Sequence, residues 1–166
     1  MDHPNSNQFI AIERGQRNDL PEIQKLFIGT IQSVCSQDYN EKQINVWTSS
    51  VKNTQYWNRI FLDQIVFIAK KKKKIVGFSS LAQMNFIDLL YVHENYQGQG
   101  IAMKLYHEME SIALQNNQIR IQANVSKTAK PFFEKVGFFV TKEQVVMREN
   151  IELINFSMEK KLNNKS

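Results

Sequence analysis

The chain has a single cysteine, Cys35, among its 166 residues, which excludes an internal disulfide and fits a reduced compartment. It has no uninterrupted apolar run near the ~18 residues that a membrane span needs. Its start, with Asp2, Asn5 and Asn7, lacks the apolar core of a signal peptide. Those absences predict a soluble, cytoplasmic protein without a membrane partner. Charge of one sign is scarce as a block: 21 basic residues face 16 acidic ones for a net charge of +5, yet only Lys70 to Lys74 form a run. Basic residues spread this way indicate no nucleic-acid groove, and a small anionic ligand suits the surface equally well. Glycine is rare too, with six in all. The third glycine of a dinucleotide fingerprint is missing after Gly98 and Gly100, and no Gly-Lys-Ser/Thr follows as a P-loop requires.

A length of 166 residues fits one domain, with about residues 8–160 as its ordered core. Phe9 to Glu13 alternates as a short first strand does. Asp19 suits a helix N-cap, with Pro21 in the first turn and Glu22 completing a capping box. Leu20, Ile23, Phe27, Thr30, Ile31 and Val34 lay a mostly apolar stripe along this first helix. Asn40, with Gln43 at N3 and Tyr39 placed to staple against Ile44, starts a second. A third holds Tyr56, Trp57, Ile60 and Phe61. Tyr39, Trp47, Trp57 and Phe61 either anchor these helices to a sheet or line an acceptor pocket, since pockets are largely apolar. Ile65 to Ala69 and Ile75 to Leu81 are strands flanking the lysine run, which belongs on a solvated hairpin tip.

Phe86 to Met109 is the stretch around which the rest is organised. It reads as an apolar strand, Phe86 to Val92, then Gln97-Gly98-Gln99-Gly100-Ile101-Ala102 opening a helix whose buried face is Ala102, Leu105, Met109 and Ile112. Two glycines at a helix mouth let the backbone approach a ligand and leave the first N–H groups unpaired, a ready site for a phosphate or pyrophosphate. The same pair also serves a sharp turn where nothing binds. Ile119 to Val125 then resumes a strand, making a right-handed crossover with a parallel pair. Ligands on such units sit beyond the carboxyl ends of the strands, which brings the glycine loop beside Asn124. Thr128 is placed to cap a helix from Ala129 to Val136, with Gly137 at its C′ position. Two strands, Phe138 to Met147 and Ile151 to Lys160, follow, and Asn163 to Ser166 form a loose end.

Gln97-x-x-Gly100-x-Ala102, together with this order of elements, resembles the cofactor signature of the GCN5-related N-acetyltransferase (GNAT) family. The stretch from Asn124 to Phe138, with Ala129, Phe132, Phe133, Glu134 and Gly137, resembles that family's closing motif. Asp38-Tyr39 and Asn155-Phe156-Ser157-Met158 narrow the likeness toward a bacterial YafP-like subgroup. The resemblance implies an α/β fold of the α+β type: a mixed, mostly antiparallel central sheet flanked by helices, with one parallel strand pair at the cofactor slot. It implies acetyl-CoA as co-substrate, no metal, a small-molecule or peptide amine as acceptor, and leaves a homodimer open. Gln97, Gly98, Gln99, Gly100, Ile101 and Ala102 would hold the pyrophosphate of coenzyme A through backbone N–H groups. Leu90, Tyr91 and Val92 would pair their backbones with the pantetheine arm, across a gap opened by a bulge in the central strand. Asn124 would bond that arm from the other side, and Phe133 would pack beside it. Tyr39 and Trp47 are the candidate acceptor contacts.

The chemistry needs a base, because an amine with a pKa near ~10.4 is mostly protonated at neutral pH. Asp88 is the carboxylate nearest this site; it interrupts an apolar strand, where an unpaired charge is costly. It serves either as that base or as a partner for a loop or solvent. The backbone N–H of Leu90 is the oxyanion donor the resemblance implies. Phe133 stands where the family commonly has tyrosine, and phenylalanine gives no proton. An acetyltransferase working by direct attack on the thioester is therefore expected, with a non-catalytic acyl-CoA-binding or regulatory module of the same fold as the alternative.

Overall fold

Seven short runs of alternating or continuous apolar residues build one sheet in the computed structural model, which describes residues 9–163. The elements run β1 (Ile10–Arg14), α1 (Leu20–Val34), α2 (Glu41–Thr48), α3 (Thr54–Asp63), β2 (Gln64–Lys71), β3 (Lys74–Ala82), β4 (Phe86–Val92), α4 (Ile101–Gln115), β5 (Arg120–Ser126), α5 (Lys130–Lys135), β6 (Phe139–Arg148) and β7 (Ile151–Lys161). Their order across the sheet is β1-β2-β3-β4-β5-β7-β6. Every neighbouring pair is antiparallel except β4 and β5. The fold is thus the mixed, mostly antiparallel α/β architecture that the sequence implies, with its single parallel pair. The expected loose end beyond Asn163, and the polar start before residue 9, lie outside the described residues.

Helices cover both faces. Ile23, Leu26, Phe27 and Ile31 of α1, Ile44 and Val46 of α2 and Trp57 and Ile60 of α3 pack on one face against Ile68, Phe78 and Leu89. Ile101, Leu105, Tyr106, Met109 and Ala113 of α4 pack on the other against Val76, Ile87 and Ile121. Gly77 lets α4 come close, since a Cβ there would lie 2.9 Å from Ile101 Cγ2 and 3.2 Å from Leu105 Cδ1. The lysine run forms the tip of the β2–β3 hairpin, where Lys71 pairs with Lys74.

The capping box of Asn40 and Gln43 forms in both directions, at 2.9 Å each way. Two other expected caps do not. Asp19 accepts from the Gln16 N–H (2.8 Å) and closes a 3-10 turn, while Glu22 accepts from the Ile75 N–H (3.0 Å) and pins α1 to β3. Thr128 donates to Asp38 Oδ2 (2.8 Å) instead of capping α5, whose approach is fixed by Ser126 Oγ accepting from the Ala129 N–H. A side chain that finds a longer-range partner is lost to its local turn.

Tyr106, Glu110 and Lys160 tie α4 to β7: the Tyr106 hydroxyl and the Lys160 ammonium both donate to Glu110 Oε2, the latter at 2.8 Å. Burial alone pushes the Glu110 carboxyl up, but the hydrogen bonds from Lys160 and Tyr106 and the charge of Lys160 outweigh it and hold it below its ordinary value. A carboxylate with a depressed folded pKa contributes stability above its unfolded pKa and loses it as pH falls through the folded one. Thermal melts from about pH 3 to 7 should therefore show a steeper acid loss in the native chain than in Glu110→Gln. Parallel acid limbs would remove this triad from the stability account.

Candidate active site

A one-residue irregularity in β4 sets up the site. Ser80 pairs with Leu89 and Leu81 with Ile87, so Asp88 is the extra residue of a β-bulge. The bulge shifts the alternation of faces. Ile87 packs in the core beneath α4, Leu89 and Tyr91 pack on the α1–α3 side, and Leu90 and Val92 return to the α4 side. Asp88 is thereby carried to the α1–α3 side beside Leu89. Pairing of β4 with β5 ends in the same place, after Phe86↔Gln122 and Ile87↔Ala123. Beyond it the two strands part around a cavity of about 600 Å³, lined by Asp88 and by Leu90, Tyr91, Val92, Asn124 and Phe133 among others.

Within that cavity Asp88 accepts hydrogen bonds from the Tyr56 hydroxyl (2.7 Å) and Gln64 Nε2 (2.9 Å). Both reach Oδ2, and no described residue donates to Oδ1. The carboxylate is thus held in orientation by α3 and the start of β2, while one oxygen remains available. Burial first, and then the adjacent Asp88 charge, push the Tyr56 phenol far above its ordinary pKa, so it stays a donor. Tyr56, Gln64 and Arg148, which also lines the cavity, are site residues that sequence reasoning missed. Only Tyr56 carried a signal, as part of the apolar stripe of α3.

The backbone beside the gap is specific about direction. His93 N–H donates to Val76 O (2.8 Å), and Val92 lies opposite Gly77. Antiparallel alternation then turns the N–H and C=O of Tyr91 toward β3 and those of Leu90 and Val92 toward the gap. Of the three expected backbone contacts, Leu90 and Val92 therefore face the open side, whereas Tyr91 presents its side chain, stacked 5.5 Å from the ring of Phe78. The Val92 carbonyl is already taken, by Thr30 Oγ1 (2.9 Å) and Gln97 Nε2 (2.6 Å). Gln97 thus spends its side chain fastening the glycine loop to the end of β4.

That loop has the conformation its glycines allow. Gly98 has φ +72° and Gly100 φ +79°, and a Cβ added at either would meet no protein atom within 4 Å. Lys104 N–H makes the first helical bond, to Gly100 O (3.1 Å), so the N–H groups of Ile101, Ala102 and Met103 have no helical acceptor. Gln97 and Ala102 reach the cavity lining; Gly98, Gln99, Gly100 and Ile101 sit outside it at the helix mouth, with the Ile101 side chain sunk in the core at 1% exposure.

Asn124 sits within β5, its Oδ1 accepting from Gln144 Nε2 (3.0 Å), and its face is turned to the cavity. Phe133 is buried against Phe132 and Phe138 at the cavity wall. Tyr39 and Trp47 line the cavity edge to face, with ring centroids 5.2 Å apart, and the Tyr39 hydroxyl donates to Ile154 O (2.7 Å) and accepts from the Lys127 N–H (2.9 Å). Trp57 and Phe61 do not line it: Trp57 is core, donating to Ser50 O (3.0 Å). Cys35 also faces the cavity, and burial pushes its thiol up to about 11, so it stays protonated.

A bulged strand, splayed from its parallel partner beside a glycine-led helix, is the architecture of the GNAT acetyltransferases, and the chain belongs to that family: the family described as "Acetyltransferase (GNAT) domain" matches residues 35–161. It is similar to the uncharacterized N-acetyltransferase YafP of Escherichia coli (strain K12), 29% identical over 149 residues that cover 90% of this chain and 94% of that protein. The crystal structure of a GCN5-related N-acetyltransferase from Rhodopseudomonas palustris superposes with a TM-score of 0.88 at 27% identity, covering 92% of this chain and 95% of that one. PaiA N-acetyltransferase from Thermoplasma acidophilum, crystallised in complex with coenzyme A, shares the fold at a TM-score of 0.73 and 21% identity, covering 93% and 99% of the two chains.

Proposed function

We propose that this chain acts as a single cytoplasmic domain that moves an acetyl group from acetyl-CoA to the amine of a small molecule or peptide, by direct attack on the thioester. The observation that carries the reading is the coincidence at Asp88: the bulge, the end of β4–β5 pairing and the only cavity-facing carboxylate among the described residues fall at one point. Acetyl-CoA supplies the activated acyl group. Its pyrophosphate fits the N–H groups at the mouth of α4, where the positive-φ glycines leave the approach clear. Its pantetheine arm fits the strand edge presented by Leu90 and Val92, with Asn124 opposite and Phe133 packing beside it. The coenzyme A bound to PaiA from Thermoplasma acidophilum supports that choice of ligand.

Asp88 Oδ1 accepts the ammonium proton of the acceptor, whose nitrogen then forms the new C–N bond as the C–S bond breaks. The extra proton left on that nitrogen passes through solvent, where the released thiolate is also protonated. The Leu90 N–H, aimed into the gap, donates to the developing oxyanion. Phe133 gives the departing sulfur no proton, and a thiol with a pKa of ~8.5 leaves without full protonation. Tyr39 and Trp47 form the wall against which the acceptor rests. Purified protein with acetyl-CoA and a panel of amines should release free thiol only when an amine is present. Tight acetyl-CoA binding with no release across the panel would instead assign the chain to the non-catalytic binding modules.

A further inference from the structure

The acceptor end of the cavity carries one group of each charge. Asp88 stands on the bulge, and Arg148 stands at the end of β6; both line the same cavity. Tyr56, whose hydroxyl donates to Asp88 Oδ2 (2.7 Å), and Tyr91 line the cavity together with both charges. Asp88 is held by neutral donors only. Arg148 is exposed and enters none of the ion pairs formed among the described residues. Trp47, Val146 and Leu153 supply apolar wall in the same cavity.

We propose that the acceptor is a small amine that also bears a carboxylate and an apolar body, an aromatic or large aliphatic α-amino acid being the simplest case. The ammonium meets Asp88, the carboxylate meets Arg148, and the apolar body lies on Trp47, Val146 and Leu153. This rests on the acetyltransferase reading above and adds the substrate class. A planar guanidinium matches a carboxylate in two parallel hydrogen bonds, which makes arginine the residue that separates an amino acid from its decarboxylated amine. A cavity of about 600 Å³ holds such a molecule beside a pantetheine end, within the usual size of ligand sites.

Thiol release should be measured with acetyl-CoA and matched pairs: phenylalanine with phenethylamine, tryptophan with tryptamine, leucine with isoamylamine. Each amino acid should exceed its decarboxylated partner by about tenfold or more in kcat/KM, the scale of one charge-assisted contact. In Arg148→Gln that ratio should fall toward one, chiefly through KM of the amino acid, and Arg148→Lys should restore part of it. Equal rates within pairs, or a ratio untouched by Arg148→Gln, would overturn the inference. Thiol release with polyamines or plain alkylamines but with no amino acid overturns it and leaves acetyl transfer standing. No amine-dependent release with any acceptor overturns both readings.

Discussion

Asp88→Asn is expected to lower kcat/KM for amine acetylation at neutral pH by about two to four orders of magnitude, the usual share of a positioned general base. The substitution separates chemistry from structure. Asparagine keeps the shape of the side chain and an oxygen that can accept from Tyr56 and Gln64, whose bonds to Asp88 measure 2.7 and 2.9 Å. The fold should therefore survive, and circular dichroism and melting should move little. What is lost is an oxygen able to take a proton from the ammonium. Because the unbound amine ionises near ~10.4, raising the pH supplies the free base from solvent, so the deficit of the variant should shrink as pH rises. A variant with full activity across the pH range would reduce Asp88 to an anchor for α3 and β2.

Gly100→Val is expected to weaken acetyl-CoA binding by about tenfold or more, as read by calorimetry, on the scale of one lost charge-assisted hydrogen bond. Two effects add. Valine strongly disfavours the left-handed backbone that Gly100 adopts at φ +79°, so the loop would turn its N–H groups away. Its side chain would also stand in the open approach to the mouth of α4, where no protein atom beyond the loop's own adjoining residues lies within 4 Å. Gly100→Asn isolates the second effect, since asparagine tolerates the left-handed region. It too should bind acetyl-CoA more weakly, with a smaller change in melting temperature. Unchanged affinity in both variants would remove the pyrophosphate from the mouth of α4.

Much of the scaffold was legible because the forces that specify it act over a few residues. The reciprocal bonds of Asn40 and Gln43, the lysine hairpin tip and the positive φ of Gly98, Gly100 and Gly137 are local, and each appears where its sequence signal places it. Local signals also misled. Asp19 and Thr128 have the chemistry of caps, yet Asp19 serves an earlier turn and Thr128 reaches Asp38, ninety residues away in the chain. Of the four aromatic candidates, Tyr39 and Trp47 face the cavity while Trp57 does not. Side-chain facing depends on how α2 and α3 are seated on the sheet, which spacing along one helix does not encode.

By itself the sequence determined the order of elements, the glycine-led helix mouth, the family resemblance and the loss of a phenol at Phe133. Each is written in contiguous residues or in a residue's identity. Only the tertiary structure decided which way the strand beside that mouth faces. The bulge at Asp88 is a property of register between β3 and β4, and the partners that orient the carboxylate stand 32 and 24 residues away, at Tyr56 and Gln64. Arg148 enters the cavity from β6, a strand kept at the sheet edge because β7 pairs between it and β5. A charge's position relative to a distant charge is set by strand register and order, and those are settled only when the whole sheet closes on its helices.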